Sequence, residues 1–173
     1  AGSLPFAGRD YRCWKKEGHG RVDVRRALSE SCDVFFYRTG QRLGVDRLAW
    51  YAKACGLGAR TGIGLDQEAR GLIPSSAWKK KRFGVPWQEG ETLSVSIGQG
   101  YNLTTPLQMA MLTAAVGNGG VRHRPLILQR VETVEGDVVF QASPQEAGRF
   151  PVSARNLKIV QEGIWSAVNG ERG

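Results

Sequence analysis

The feature that most constrains the fold is a long amphipathic pattern over residues 22–44, "VDVRRALSESCDVFFYRTGQRLG". Apolar residues recur in it at helical spacing, and Asp23 is suited to cap the helix that follows. Gly44 predicts the end of this helix, and residues 46–55 predict a second one that stops at a "GLG" step. A chain built on such helices requires an apolar core against which they pack.

Further helices are predicted by their capping residues. Thr105 and Pro106 suit the cap and first turn of a helix over residues 105–116, and Ser153 suits the cap of a last helix. Residues 124–141 alternate like two strands around a turn at 135–137, whereas the opening twenty residues are expected to be irregular or extended. These elements predict an α+β fold whose hairpin is too small a sheet for 173 residues, so further strands are expected outside this chain.

The formal net charge of +8 raises the question of an anionic partner. The densest basic run is Lys79–Arg82, and the other basic residues are mostly interleaved with acids, without the aromatic alternation of single-strand binders. We therefore interpret the run as a solvated face and expect no nucleic-acid partner. No apolar run approaches the roughly 18 residues of a membrane helix, so any targeting or anchoring segment is expected outside this chain.

Ser31-Cys32-Asp33 lies where the amphipathic pattern turns strongly apolar. A serine hydroxyl there can relay a proton, and the carboxylate can accept hydrogen bonds from a lysine ammonium. Spacing alone also allows an ordinary helix junction.

Cys13, His19 and Cys32 form the pattern Cys-x5-His-x12-Cys. Thiolate and imidazole ligands suit zinc, which takes about four of them, and Asp10 is a candidate for the fourth. Three cysteines in a chain of this size do not form a disulfide framework, so free buried thiols and metal ligands are the two interpretations.

Ser76 and Lys79 match Ser-x-x-Lys, the spacing of a nucleophilic serine and its lysine on one helical face. The lysine begins a run of four cations, which favours a solvated ammonium over a desolvated base. We interpret Ser76 as the N-cap of a surface helix.

Three segments together resemble the transpeptidase domain of class B penicillin-binding proteins, in particular the subgroup of rod-shaped cell elongation. In order they are "GHGRVDVRRALSESCDVFFYRTGQRLGVDRLAWYAKACGLG", "GLIPSSAWKKKRFG" and "LSVSIGQGYNLTTPLQMAMLTAAVGNGG". The resemblance implies a partial penicillin-binding/β-lactamase-like fold, mostly its helical part plus a β-hairpin. Residues 1–173 would be an internal fragment of a single transpeptidase domain.

The family uses Ser-x-x-Lys, Ser-x-Asn and Lys-Thr-Gly in that order, and Ser31 and Asp33 fall on the second motif. The nucleophile would then lie before Ala1 and Lys-Thr-Gly beyond Gly173, so this fragment is predicted to be inactive. In the intact enzyme the serine would attack D-alanyl-D-alanine, release D-alanine and pass the acyl group to an amine; β-lactams would trap it. Ser31 would relay protons, and Asp33 would orient the lysine.

The resemblance also implies that catalysis requires no cofactor and that a structural zinc site lies beside the second motif. His19 and Cys32 fall on two ligand positions, Cys13 falls on one where relatives can carry Asp, and the fourth ligand would precede Ala1. The implied partners are peptidoglycan stem peptides, β-lactams and membrane proteins of the elongation machinery. The implied location is the periplasmic side of the bacterial inner membrane.

Two other functions stay open at this point. The same fold could serve a non-catalytic β-lactam sensor, which an upstream Ser-x-x-Lys would argue against. An intact hydrolase using Ser76 and Lys79 is the third interpretation, and the order of the motifs argues against it.

Overall fold

The computed structural model describes residues 1–171. The helices in this part of the chain are α1 Val24–Ser29, α2 Asp33–Ala54, α3 Ser76–Phe83, α4 Glu89–Ser96, α5 Pro106–Gly117 and α6 Ala154–Asn169. The strands are β1 Ser3–Phe6, β2 Arg9–Arg12, β3 Val121–His123, β4 Arg130–Glu132, β5 Val138–Gln141 and β6 Glu146–Arg149. The predicted α+β class is confirmed.

The amphipathic pattern forms two helices, because the chain turns between α1 and α2. Ser31 has φ 49°, in the left-handed region, and ends the helical run that Asp23 begins by accepting a hydrogen bond from the Arg26 amide. The predicted break at Gly44 is confirmed as a kink within α2, with φ 73° and ψ 160°. The polar step "SES" therefore marks a real helix boundary that periodicity alone did not reveal.

Helix α2 packs against α4, and α1 packs against α6. Gly40 allows the first of these contacts, because a Cβ at that position would lie 2.5 Å from the Cβ of Ser96. Helix α4 begins with a capping box between Gln88 and Glu91, and its Leu93 is fully buried. This eight-residue helix was not predicted, since it is too short to show a clear period.

Three antiparallel pairs of strands are present in the described residues: β1–β2, β3–β6 and β4–β5. The β4–β5 hairpin was predicted and is confirmed, with its turn at 133–137. The opening segment was expected to be irregular or extended, and residues 3–12 are extended: β1 and β2 form a hairpin, which was not predicted, around a turn at Ala7 and Gly8, both with positive φ. The β3–β6 pair joins short segments far apart in sequence, which pattern analysis does not detect.

The capping residues predicted for the two later helices are correct. Thr105 accepts from the amide of Gln108 with Pro106 in the first turn, and Ser153 accepts from Asn156. In the part of the chain that the structure describes, no helix combines the length and apolarity needed to span a membrane.

The main core cluster lies where β1–β2, the α1–α2 junction and α4 meet. Its buried members are Cys13, Ala27, Cys32, Val34, Tyr37 and Leu93. Two of the three predicted metal ligands therefore belong to the core, and the Ser31–Asp33 step lies at its edge.

Candidate functional site

The Ser31–Asp33 step directs its side chains in two directions. Ser31 is exposed and Asp33 is half-buried, whereas Cys32 between them is only 5% exposed. Cys32 is the N-cap of α2 and Asp33 is its first residue, so the carboxylate lies at the positive end of the helix dipole. The junction presents a hydroxyl and a carboxylate outward while its thiol faces the core.

Trp14 fixes this junction through three hydrogen bonds. Its backbone amide donates to Asp33 Oδ2 at 3.2 Å, and its indole Nε1 donates to the carbonyls of Glu30 at 2.9 Å and Ser31 at 3.1 Å. Sequence reasoning missed this residue, since a tryptophan in a Gly-rich segment carries no signal for such a role. The left-handed turn at Ser31 is thereby held in place from the neighbouring loop.

Cys13, His19 and Cys32 converge on one point. Their ligand atoms all lie within 4.8 Å of one another, all three residues are buried, and Cys13 Sγ lies 3.6 Å from His19 Nδ1. Burial raises the pKa of the Cys32 thiol, so the thiolate form needs a compensating cation. The structure brings the three predicted ligands together.

The donor set fits zinc. Zn–S distances of about 2.3 Å and Zn–N distances of about 2.0 Å place tetrahedral ligand atoms roughly 3.5 Å apart, close to the Cys13–His19 separation. His19 and Cys32 also line a cavity of about 280 Å³ that reaches Ala1, which offers room for a further ligand. Asp10 is exposed on β2 and does not belong to the cluster, so its candidacy as fourth ligand is wrong.

The second ring nitrogen of His19 faces a carboxylate. Nε2 is buried, has no hydrogen-bond partner among residues 1–171, and lies 3.8 Å from Glu30 Oε2. A hydrogen bond from Arg26 lowers the pKa of Glu30, which keeps that carboxylate ionised. A carboxylate beyond the imidazole is the usual companion of a metal-bound histidine.

Ser76 and Lys79 lie on α3, but each is engaged elsewhere. Ser75 rather than Ser76 is the N-cap, and the Ser76 hydroxyl donates to Asp46 Oδ2 at 2.6 Å. Lys79 is 5% exposed and forms an ion pair with Glu91, so the interpretation of a fully solvated basic face was wrong at this residue.

The rest of the basic run is exposed as predicted, from Lys80 through Arg82. Lys79 differs because the helix turns it toward α4, where its ammonium also lies 5.8 Å from the centroid of the Trp87 ring. The Lys79 ammonium is therefore paired with Glu91, while the Ser76 hydroxyl is bonded to Asp46.

Comparisons of the sequence and of the structure with known proteins point to the same family. Residues 3–173 match the family model described as penicillin binding protein transpeptidase domain. The chain is 37% identical over 170 residues to peptidoglycan D,D-transpeptidase MrdA of Escherichia coli K12, covering 98% of this chain and 27% of the relative. It therefore spans about a quarter of the length of that curated relative.

Solved structures show the same fold. A structure of Pseudomonas aeruginosa PBP2 in complex with WCK 5153 superposes with a TM-score of 0.82 at 33% identity, covering 99% of this chain and 37% of that one. A complex between the penicillin-binding protein PBP2 and MreC from Helicobacter pylori gives a TM-score of 0.83 at 28% identity, covering 99% and 30%. Both superpositions cover 99% of this chain.

Proposed function

The chain belongs to the penicillin-binding protein transpeptidase family, and on that premise we propose that residues 1–173 form an internal fragment of a peptidoglycan D,D-transpeptidase domain. The intact protein would cross-link stem peptides in cell-wall elongation through an acyl-serine intermediate. The nucleophile and the Lys-Thr-Gly strand would be contributed by other parts of the protein, and the fragment alone would be inactive. Residues 172 and 173 lie outside the described residues.

The observation that carries this proposal is the geometry of the α1–α2 junction. Ser31 is exposed at a left-handed turn and Asp33 begins α2, so a hydroxyl and a carboxylate project from one rigid corner. We assign proton relay to Ser31, since a hydroxyl can accept one proton while donating another. Asp33 Oδ2 accepts a hydrogen bond from the backbone amide of Trp14. Oδ1 would then be free to accept one from the ammonium of the lysine in the Ser-x-x-Lys motif.

Asp33 also affects the charge state of that lysine. A carboxylate beside an ammonium favours the protonated form of the lysine. Asp33 would therefore orient the lysine and share its proton, rather than leave a free base beside the nucleophile.

We assign a structural zinc site to Cys13, His19 and Cys32, with no part in the chemical step. Bound zinc would crosslink the loop at 13–19 to the α1–α2 junction and neutralise the buried thiolates. The distances, the burial and the Glu30 carboxylate beyond His19 support this assignment. Since Cys32 lies between Ser31 and Asp33, a zinc ion bound to it would hold the backbone of the second motif in position.

The proposed partners follow from the relatives. A complex of PBP2 with MreC and a structure of a peptidoglycan synthase complex support membrane proteins of the elongation machinery as partners, alongside stem peptides and β-lactams. The corresponding location is the periplasmic side of the bacterial inner membrane. We expect no nucleic-acid partner, because the basic residues lack the aromatic alternation of single-strand binders.

The test measures D-alanine release from a pentapeptide donor by the whole protein that carries this chain. Asp33→Ala is expected to lower the rate by roughly 100-fold, because the lysine loses the group that orients it, whereas Asp33→Asn restores the amide of the family's Ser-x-Asn motif, still accepts a hydrogen bond and keeps most activity. Wild-type activity in Asp33→Ala would contradict the assigned role. Penicillin acylation without transfer to an amine acceptor would instead support the sensor function.

A further inference from the structure

A second site of unusual composition lies at the C-terminal end of α2. A cavity of about 450 Å³ is enclosed by the end of α2, the loop at 55–62, α5 and the β3–β6 pair. Four cationic side chains line it, and no acidic side chain does: Lys53, Arg60, Arg122 and Arg124. Neither Ser31 nor Asp33 is part of its wall, so the cavity is separate from the proposed catalytic corner.

The guanidinium of Arg122 lies in a narrow space at the wall of this cavity. A Cβ at Gly56 would lie 3.0 Å from Arg122 Nη1, and one at Gly148 would lie 2.7 Å from Nη2, so the guanidinium lies close against two glycines that leave room for it. Nη2 donates to the carbonyl of Ala147 at 3.1 Å, which ties the guanidinium to β6. This is a positioned donor rather than a mobile surface side chain.

The guanidinium is not fully satisfied by the protein. Arg122 Nε is buried and has no hydrogen-bond partner among residues 1–171. A buried N–H without an acceptor is unfavourable, and the usual resolution is a bound water or ligand oxygen. The Arg122 guanidinium therefore lies at the cavity wall with one donor that the described residues leave unsatisfied.

The positive charge of the cavity is offset only in part, by Glu68, whose carboxylate interacts electrostatically with Arg60. In the described part of the chain, the ion pairs within 4.0 Å involve other residues, and none includes a cation of this cavity. The carboxylate of Glu68 is held by the backbone amides of Thr61 and Gly62, at 2.6 and 3.2 Å. Like charges around one cavity repel each other, and a bound anion would relieve that repulsion.

We propose that this cavity binds the oxyanion group, phosphate or carboxylate, of a small organic ligand. Arg122 would supply the fixed hydrogen-bond donor, since guanidinium geometry matches two oxygens at once, and the three other cations would supply attraction. The volume exceeds that of a bare phosphate and falls in the range of ligand pockets. Met111 and Ala59 offer apolar contact for the body of the ligand.

The test is an NMR titration of the whole protein that carries this chain, with inorganic phosphate, with N-acetylglutamate and with sodium chloride at matched ionic strength. We expect saturable shifts of the Gly56, Gly62 and Ala147 amides with at least one oxyanion and only small linear shifts with chloride. The tighter of the two oxyanions identifies the ligand group. Arg122→Met should weaken binding at least 10-fold, while Arg82→Met on exposed α3 should leave it unchanged.

Two results would overturn the proposal. Equal shifts with chloride, or equal weakening by Arg82→Met, would reduce the effect to the general positive charge of the chain. If Arg122→Met does not fold, Arg124→Met and Arg60→Met replace exposed cations of the same cavity, and each should weaken binding several-fold. As an independent readout, the bound oxyanion should slow alkylation of Cys55, which lines the cavity; unchanged alkylation at saturation would also count against the site.

Discussion

The backbone amide of Trp14 donates a hydrogen bond to the carboxylate of Asp33 at 3.2 Å. The residue before it in the chain is Cys13, a member of the buried cluster, and the indole of Trp14 also holds the carbonyl of Ser31. The loop that supplies part of the proposed metal site is therefore the same loop that positions the proposed catalytic carboxylate. This one contact therefore links the proposed metal site to the proposed catalytic carboxylate.

Trp14→Phe tests the indole bonds while retaining an aromatic ring. The variant loses the hydrogen bonds to Glu30 and Ser31, so we expect a loss of about 1 kcal/mol in the free energy of unfolding. Trp50→Phe, at an exposed indole on α2, is the matched control and should stay near wild type. Urea unfolding measures both, and equal losses would show that the indole bonds are not the cause.

The proposed zinc site predicts that the whole protein binds a single zinc ion at this cluster. Cobalt substitution should give the absorption bands of tetrahedral thiolate coordination, and Cys13→Ser should weaken zinc binding at least 10-fold, as for loss of a ligand. Cys55→Ser removes the third cysteine, which lies outside the cluster, and should leave binding unchanged.

Thermal unfolding with and without zinc gives a second readout, since about 4 kcal/mol of stabilisation is expected at 1,000 times the Kd. Identical metal content in wild type and Cys13→Ser would exclude the site.

Lys79→Met is predicted to destabilise the fold much more than Lys80→Met. Lys79 is buried against Glu91, whose side chain also completes the capping box of α4, whereas Lys80 is exposed on the next position of α3. Leaving Glu91 without its partner should cost about 2 kcal/mol, and the exposed change should cost less than about 0.5 kcal/mol. Chemical denaturation measures the difference; two equal values would mean that the ion pair contributes nothing.

Glu68 predicts a specific loss of stability in acid. Hydrogen bonds from Thr61, and then from the Gly62 amide, lower the pKa of Glu68 below its ordinary value of 4.5. Its contribution to stability is therefore complete above the unfolded pKa and is lost as pH falls through the lower folded pKa. The Glu68→Gln variant should show a shallower decline in unfolding free energy below about pH 4.5. Parallel curves for wild type and variant would contradict this role.

The sequence predicted most of what local chemistry determines. Asp23, Thr105 and Ser153 act as N-caps as expected, and Gly44 breaks α2, because each of these features depends on a few neighbouring residues. Residue types singled out Cys13, His19 and Cys32 as possible ligands, but their loose spacing did not predict that they converge; the family resemblance implied it.

The features that the sequence did not predict depend on contacts between distant parts of the chain. Lys79 is buried only because α4 places Glu91 opposite it, and Trp14 matters only because β2 delivers it beside the α1–α2 junction. The guanidinium of Arg122 lies against glycines from two other segments, Gly56 and Gly148. No periodicity within a window of the sequence carries such information.

The central claim is that Ser31 serves a nucleophile located elsewhere in the protein, and that Ser76 has no part in the chemistry. The most direct measurement is the rate at which penicillin acylates the whole protein, followed by intact-mass spectrometry in wild type, Ser31→Ala and Ser76→Ala. We predict that Ser31→Ala slows acylation by roughly 100-fold or more and that Ser76→Ala acylates at the wild-type rate. An adduct that forms normally in Ser31→Ala and disappears in Ser76→Ala would contradict the account.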